Sequence, residues 1–285
     1  MKFAIHIHNH GVWSDPGLIA TIARDADEAG WDGVFVADHL QQEIRGVPSP
    51  VADPWIALAV IANATSLARL GPMVTPLPRR RPWQLASEAV TIDRLSSGRL
   101  ILGLGSGIGN SFAPFSETQD PRVRAEMLEE GLDVLVGLWS GAPFTYLGKH
   151  FQVRDATFLP RPTQAPRIPI WLAGHWPHPK PFRRAARWDG IFIDGPGVDW
   201  TKGEIIAPDD LKASLSLTLE ERARLGLGEP FDVIIGGWSP NAERMAENLA
   251  PFARLGATWW VEAIYEPFSD VATFRDRVRR GPPRL

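Results

Sequence analysis

The sequence predicts an α/β fold, a single (β/α)8 barrel with an insertion between units four and five. Three observations lead there. Short apolar runs alternate with stretches of helical periodicity, which implies a parallel sheet with right-handed crossovers. Eight such pairs can be counted. The 285 residues match the ~250 typical of one closed barrel. A doubly wound open sheet is the alternative, and eight nearly equal units favour closure. No internal repeat and no domain boundary interrupts 1–285.

The elements follow in order. Phe3 to Asn9 is the first run. Leu18, Ile22, Ala26 and Ala29 recur at helical spacing, and Gly30 stands where a helix ends. Gly33 to Ala37 is the second run. Asp53-Pro54 opens the next helix with an N-cap and a first-turn proline, and the helix extends to about Leu67. Leu70 to Thr75, helix Pro82 to Leu95, and Leu100 to Gly103 complete units three and four, before the helix Pro121 to Trp139. Residues 141–168 break the rhythm with Pro143, Pro160, Pro162 and Pro166 and a hairpin expected around Gly148. They read as an insertion, expected to cover the site as a lid. Runs at 168–173, 191–193, 231–235 and 258–261 then alternate with helices at 179–188, 208–225, 240–254 and 268–280.

Composition narrows the function. Thirty Lys and Arg against 33 Asp and Glu leave a net charge of −3, which argues against a nucleic-acid partner. No cysteine is present, so disulfides, thiolate metal sites and a cysteine nucleophile are excluded. No apolar window suits a membrane span, and the opening residues lack signal-peptide features, so a cytoplasmic chain is expected. Twelve tryptophans against two tyrosines suggest rigid aromatic surface, for the core or for pockets that take planar ligands.

A barrel places its active site at the C-terminal strand ends. There stand His8, His10 and Trp13; Asp38 and His39; Met73, Val74 and then Arg79, Arg80 and Arg81; Gly103, Gly105, Ser106, Gly107 and Gly109; Gly174, His175 and Trp176; Asp194; Trp238; and Glu262. The alternating glycines either let something flat approach the backbone or make a tight turn. They lack the Lys-Ser/Thr of a P-loop. His6 and His8 share one strand face, the spacing of a metal-dependent barrel hydrolase, although packed histidines are the plainer reading. His39 is the best general acid or base, with an ordinary value near ~6.5. Asp38 either fixes its tautomer or meets the substrate. Trp13, Trp176 and Trp238 would wall an apolar pocket with His8, His10 and Glu262 nearby.

In order along the chain, Gly30-Trp31-Asp32-Gly33-Val34-Phe35-Val36-Ala37-Asp38-His39, Arg80-Arg81-Pro82, the helix Leu85 to Ser96, Gly98 to Gly107, and Ile168 to Gly174 leading to Ala185 to Gly190 resemble the bacterial luciferase-like flavin-dependent oxidoreductases. No single motif is diagnostic; the ordered set is fairly specific. The resemblance implies a TIM-like barrel that uses FMN, often as a reduced diffusible cosubstrate from a partner reductase, or the deazaflavin coenzyme F-420. It implies a homodimer and a non-proline cis peptide, here Met73-Val74, behind the ring. Asp38 and His39 would face ring and substrate. Met73, Val74, Gly105, Ser106 and Gly107 would line the cofactor, and Gly174, His175 and Trp176 would offer amides to its phosphate. No metal is implied.

Two departures stand out. Ile108 occupies the position at which deazaflavin-dependent sugar-phosphate dehydrogenases carry an acid, and Ser106 replaces the luciferase-type phosphate arginine, for which Arg79, Arg80 or Lys180 are substitutes. The expected function is therefore flavin-dependent oxidation or monooxygenation of a small, largely apolar substrate. A deazaflavin-dependent dehydrogenase is the alternative. A metal hydrolase using His6 and His8, or a non-catalytic flavin-binding protein, are rivals of other classes.

Overall fold

The computed structural model describes residues 1–44, 46–108, 111–199, 204–237, 245–263 and 270–283. Its elements in chain order are β1 (Lys2–Ile7), α1 (Pro16–Glu28), β2 (Gly33–Val36), β3 (Gln42–Ile44), β4 (Val47–Ser49), α2 (Pro54–Ala64), β5 (Arg69–Pro72), β6 (Thr75–Pro76), α3 (Pro82–Leu95), β7 (Leu102–Gly105) and α4 (Pro121–Trp139). Then come β8 (Phe144–Leu147), β9 (Gln152–Ala156), β10 (Ile170–His175), α5 (Pro179–Ala185), β11 (Gly190–Asp194), α6 (Pro208–Arg224), β12 (Asp232–Gly237), α7 (Met245–Arg254), β13 (Trp259–Ala263) and α8 (Val271–Arg279).

Parallel pairing runs β5-β2-β1-β13-β12-β11-β10-β7-β6. β5 and β6 are two pieces of the third barrel strand, separated by Met73 and Val74, so this order returns to its starting strand and the barrel closes. The Met73–Val74 peptide is cis, as the resemblance implies.

Local chemistry sets the helix starts. Asp15, Asp53 and Asp120 each precede a proline, and each carboxylate accepts first-turn amides, at 2.7 Å from Gly17, 2.9 Å from Trp55 and 2.8 Å from Arg122. A cap of this kind contributes about 1 kcal/mol. Gly30, at φ 86°, ends the first helical unit in the left-handed region.

Strand alternation divides the core in two. Phe3, Ile5, Ile7, Val34, Val36 and Trp260 are among the residues that pack outward against the helices. Ala4, Phe35, Met73, Ile101, Trp171, Phe192, Ile234, Trp259 and Val261 fill the barrel. Phe35, Trp171 and Trp259 form its aromatic plug, with centroids 5.2 to 6.1 Å apart. Both indole N–H groups of the plug donate to Asp232, at 3.2 and 3.0 Å. Trp171 and Trp259 are thus core tryptophans.

The insertion differs from expectation. Its hairpin, β8 and β9, turns at Gly148 as expected, but it is fastened to the outside of α4. Glu130 on α4 accepts the amides of Lys149, His150 and Phe151 at 2.8, 2.8 and 3.0 Å. Asp93, near the end of α3, accepts the Thr163 amide at 2.7 Å. A segment between a helix and the next strand starts from the N-terminal face of the barrel, so 141–168 is not a lid over the mouth. Among the described residues, 46–52, between β2 and α2, reaches the mouth. The hairpin of β3 and β4 is absent from the sequence reading, and Val51 bridges to His10. Of the helix expected over 240–254, residues 240–244 lie outside those described and Met245–Arg254 is helical.

Candidate active site

The C-terminal end of the barrel gathers four histidines. His6 sits on β1, His8 and His10 follow it, and His39 follows β2. Their rings form a contiguous set: His6–His8 centroids lie 5.0 Å apart, His8–His10 5.2 Å, His10–His39 5.5 Å and His8–His39 6.2 Å. His6, His8 and His10 are buried and His39 is half-buried.

Two anchors bring the loops together. The Asn9 amide donates to the His39 carbonyl at 2.8 Å and to the Ala52 carbonyl at 2.7 Å, and its oxygen accepts the His39 amide at 3.2 Å. Asp38 is the second anchor. Its fully buried carboxylate meets Arg79 at 2.5 Å, Arg80 at 3.0 Å and the Thr75 hydroxyl at 2.7 Å. Arg79 also donates to the Asp38 carbonyl at 2.9 Å.

This overturns two expectations. Asp38 neither touches the His39 ring in this network nor faces the mouth as a free carboxylate. Arg79 and Arg80 are held by Asp38 and are not free cations for a cofactor phosphate. Lys180 is exposed at the start of α5.

Burial sets the electrostatics. It lowers His39 to about 4; His10 pushes the same way, Asp38 opposes and Arg79 adds to the fall. His6 also falls to about 4, chiefly through burial, against the bond its Nε2–H donates to the Met73 carbonyl at 3.1 Å. His8 lies well below its ordinary value, again through burial first and then its histidine neighbours. These imidazoles are neutral at neutral pH, so His39 is poised as a base, not as a ready acid.

Parity decides which other expected residues reach the mouth. Gly103 and Gly105 face inward, but a Cβ on Gly103 would stand 2.2 Å from the Pro72 carbonyl oxygen, and one on Gly105 would stand 3.1 Å from Val74. The bare strand therefore makes room first for the break in the third strand. Gly107, at φ 73°, faces Phe112. The Ser106 carbonyl accepts a bond from Arg124 at 3.1 Å. Gly109 and Trp238 lie outside the described residues.

Trp13 is fully buried against Phe274 of α8. Glu262 shares the outward parity of Trp260 and accepts its indole N–H at 2.7 Å. Neither lines the mouth. Gly174 also faces outward, toward Ile191 and Phe182. The Trp176 amide donates to the Asp194 carbonyl at 2.8 Å and its indole to Asp210 at 2.9 Å. His175 is exposed, 3.3 Å from Asp194. The Trp176 amide is therefore engaged by β11.

His8, His10, His39, Met73 and Val74 thus remain at the mouth. Val74 and Ala173 pack on the barrel-filling cluster and give an apolar floor beside bare backbone at Gly105. The rings of His8, His10 and His39 form one wall. An apolar floor with a few convergent polar groups suits a planar heterocycle such as a flavin ring. Two clefts lie elsewhere: about 480 Å³ between α5 and α6, and about 270 Å³ at the opposite barrel end, around Trp31 and Trp259. Among the described residues, no helix is long and apolar enough to cross a membrane.

Known proteins fit this architecture. The chain is 33% identical over 186 residues to an F420-dependent glucose-6-phosphate dehydrogenase of Kineococcus radiotolerans, covering 65% of this chain and 54% of that protein. It is 27% identical over 190 residues to the oxygenase component of a flavin-dependent trigonelline monooxygenase of Acinetobacter baylyi, covering 64% and 51%. The chain thus spans about half the length of these curated relatives. An F420-dependent secondary alcohol dehydrogenase, solved with an F420-acetone adduct, superposes with a TM-score of 0.80 at 18% identity over 98% of this chain and 99% of that one. The sequence model for luciferase-like monooxygenases matches residues 1–209. The chain belongs to the luciferase-like monooxygenase family.

Proposed function

We propose that the chain is an oxidoreductase that oxidises a small neutral alcohol with a deazaflavin cofactor bound at the barrel mouth. The observation that carries this reading is His39. It is a neutral imidazole at a C-terminal strand end, with its backbone clamped by Asn9. Relatives named as F420-dependent dehydrogenases support the choice of cofactor.

When bound, the cofactor supplies the hydride acceptor that no side chain can provide. Val74, Ala173 and Gly105 would hold its ring. His39 takes the hydroxyl proton of the substrate as the carbonyl product forms. The Asn9 clamp and the Asp38 network keep His39 in place, which makes Asn9 and Asp38 positioning residues. The mouth histidines help to exclude water. The aromatic wall expected from Trp13 is not at the mouth, and Arg79 and Arg80 are ion-paired to Asp38. The second fact supports a small neutral alcohol over a sugar phosphate.

The test is anaerobic turnover with oxidised F-420, followed by loss of its visible absorbance, across short secondary alcohols and glucose 6-phosphate. Turnover of the alcohols, reduced by about 10²–10⁴ in His39→Ala, is expected. Preference for the sugar phosphate, or no effect of the substitution, contradicts the reading.

Ile108 favours a second reading. It is exposed where the resemblance places an acid in the sugar-phosphate dehydrogenases. FMN-linked monooxygenation, with reduced FMN delivered by a reductase, needs no acid there. Oxygen consumption with reduced FMN, and none with the deazaflavin, would select it.

A further inference from the structure

We propose that His8, His10 and His39 form a trihistidine site for a first-row transition dication, with zinc as the simplest occupant. Each of the three offers one ring nitrogen, and these nitrogens all lie within 4.8 Å of one another. Zinc at bond lengths of about 2.0–2.1 Å needs its nitrogens about 3.4 Å apart. Ring rotation on metal binding would have to close that difference.

The backbone under the donors is already fixed. Asn9 lies between His8 and His10 in sequence, and its side chain ties the His39 backbone to the first strand. A metal would therefore meet a largely preorganised set. His6 is not one of the three residues whose nitrogens lie within that distance. The Asp38 carboxylate is held by two arginines and a threonine, so among the described residues the donor set is all imidazole. That set selects zinc, cobalt, nickel, copper or ferrous iron over magnesium and calcium. Three histidines leave a fourth position for water or a substrate oxygen.

This inference goes beyond the hydride-transfer reading. A metal on His39 occupies the lone pair that a base needs, so the metal-loaded and base-competent states exclude each other. Zinc then inhibits turnover.

The test uses the whole chain without cofactor or substrate, so its failure leaves the hydride-transfer reading untouched. Metal-free protein is titrated with Co²⁺, and the zinc-loaded form is examined by X-ray absorption. One saturating equivalent is expected, with the intense visible bands of four- or five-coordinate cobalt and displacement by zinc. Zinc should show three imidazole nitrogens at about 2.0–2.1 Å. His10→Asn and His39→Asn should each weaken binding roughly a hundredfold, whereas Glu126→Gln, beside the surface His150, should leave it unchanged. Fewer than three imidazoles on zinc, weak six-coordinate cobalt bands, or binding indifferent to both histidine substitutions would overturn the site. The absorption measurement on unaltered protein decides the matter even if a variant fails to fold.

Discussion

Asn9 and His39 are joined by a two-point clamp. The Asn9 amide donates to the His39 carbonyl at 2.8 Å, and its oxygen accepts the His39 amide at 3.2 Å. The ring of His39 is left unclaimed by this contact, so one side chain positions the proposed base without consuming it. Replacement by alanine strands buried polar groups on both loops. Asn9→Ala should cost about 1–3 kcal/mol in urea unfolding. It should also lower kcat more than it raises KM, which a merely structural loss would not do.

Asp38 and Arg79 form the second anchor. Arg79 is almost wholly buried, and removing its partner leaves a guanidinium in low dielectric. Asp38→Asn should destabilise by about 3–5 kcal/mol. The double variant with Arg79→Met should recover much of that loss in thermal unfolding. Additive losses would show that the pair is not coupled.

The environment of His39 gives a pH prediction for metal-free enzyme. A base works when deprotonated, and His39 is held at about 4. The acidic limb of kcat/KM should therefore fall near pH 4 and be flat through pH 6. A limb near the ordinary histidine value of ~6.5 would contradict this picture of the mouth.

Gly103 supports the strand break. An added Cβ would strike backbone, 2.2 Å from the Pro72 carbonyl oxygen. Gly103→Ala should destabilise by at least about 1–3 kcal/mol. Gly228→Ala, where a Cβ meets nothing within 4 Å, should stay within about 0.5 kcal/mol of the parent.

Asp27 links the fold to acid. Burial raises its carboxyl, but the amides of Ala68, Ser66 and Leu67 outweigh burial and hold it below 3.8. A carboxylate lowered in the folded state adds stability above the unfolded value, and that stability is lost as pH falls below it. Asp27→Asn should therefore be less stable than the parent at pH 6, with the gap narrowing toward pH 3. A gap of constant size would contradict the assignment.

Much of the fold was legible because local signals are strong. Asp-Pro pairs mark the starts of α1, α2 and α4, and both ends of α3 and α4 follow the apolar period. The hairpin of β3 and β4 was not legible: its strands are three residues long, one carries Pro48, and neither alternates.

At the site, His8, His10 and His39 stood out as polar residues at strand ends. What strand ends cannot say is which way a side chain points. Parity carries that signal. Trp259 and Val261 face inward, so Glu262 faces the helices with Trp260; the same count from Ala4 brings His6 and His8 inward. The capture of Asp38 by Arg79 and Arg80 was hidden for another reason. Long flexible side chains leave no mark of their direction in the sequence.

The most direct measurement is a titration of the purified chain with F-420 and, separately, with FMN, each oxidised and reduced, followed by tryptophan fluorescence. Trp171 and Trp259 lie in the barrel plug. Saturable quenching by the deazaflavin, weakened when Val74 is replaced by aspartate, is the predicted result. No saturable change with either cofactor in any redox state would contradict a cofactor site at the barrel mouth.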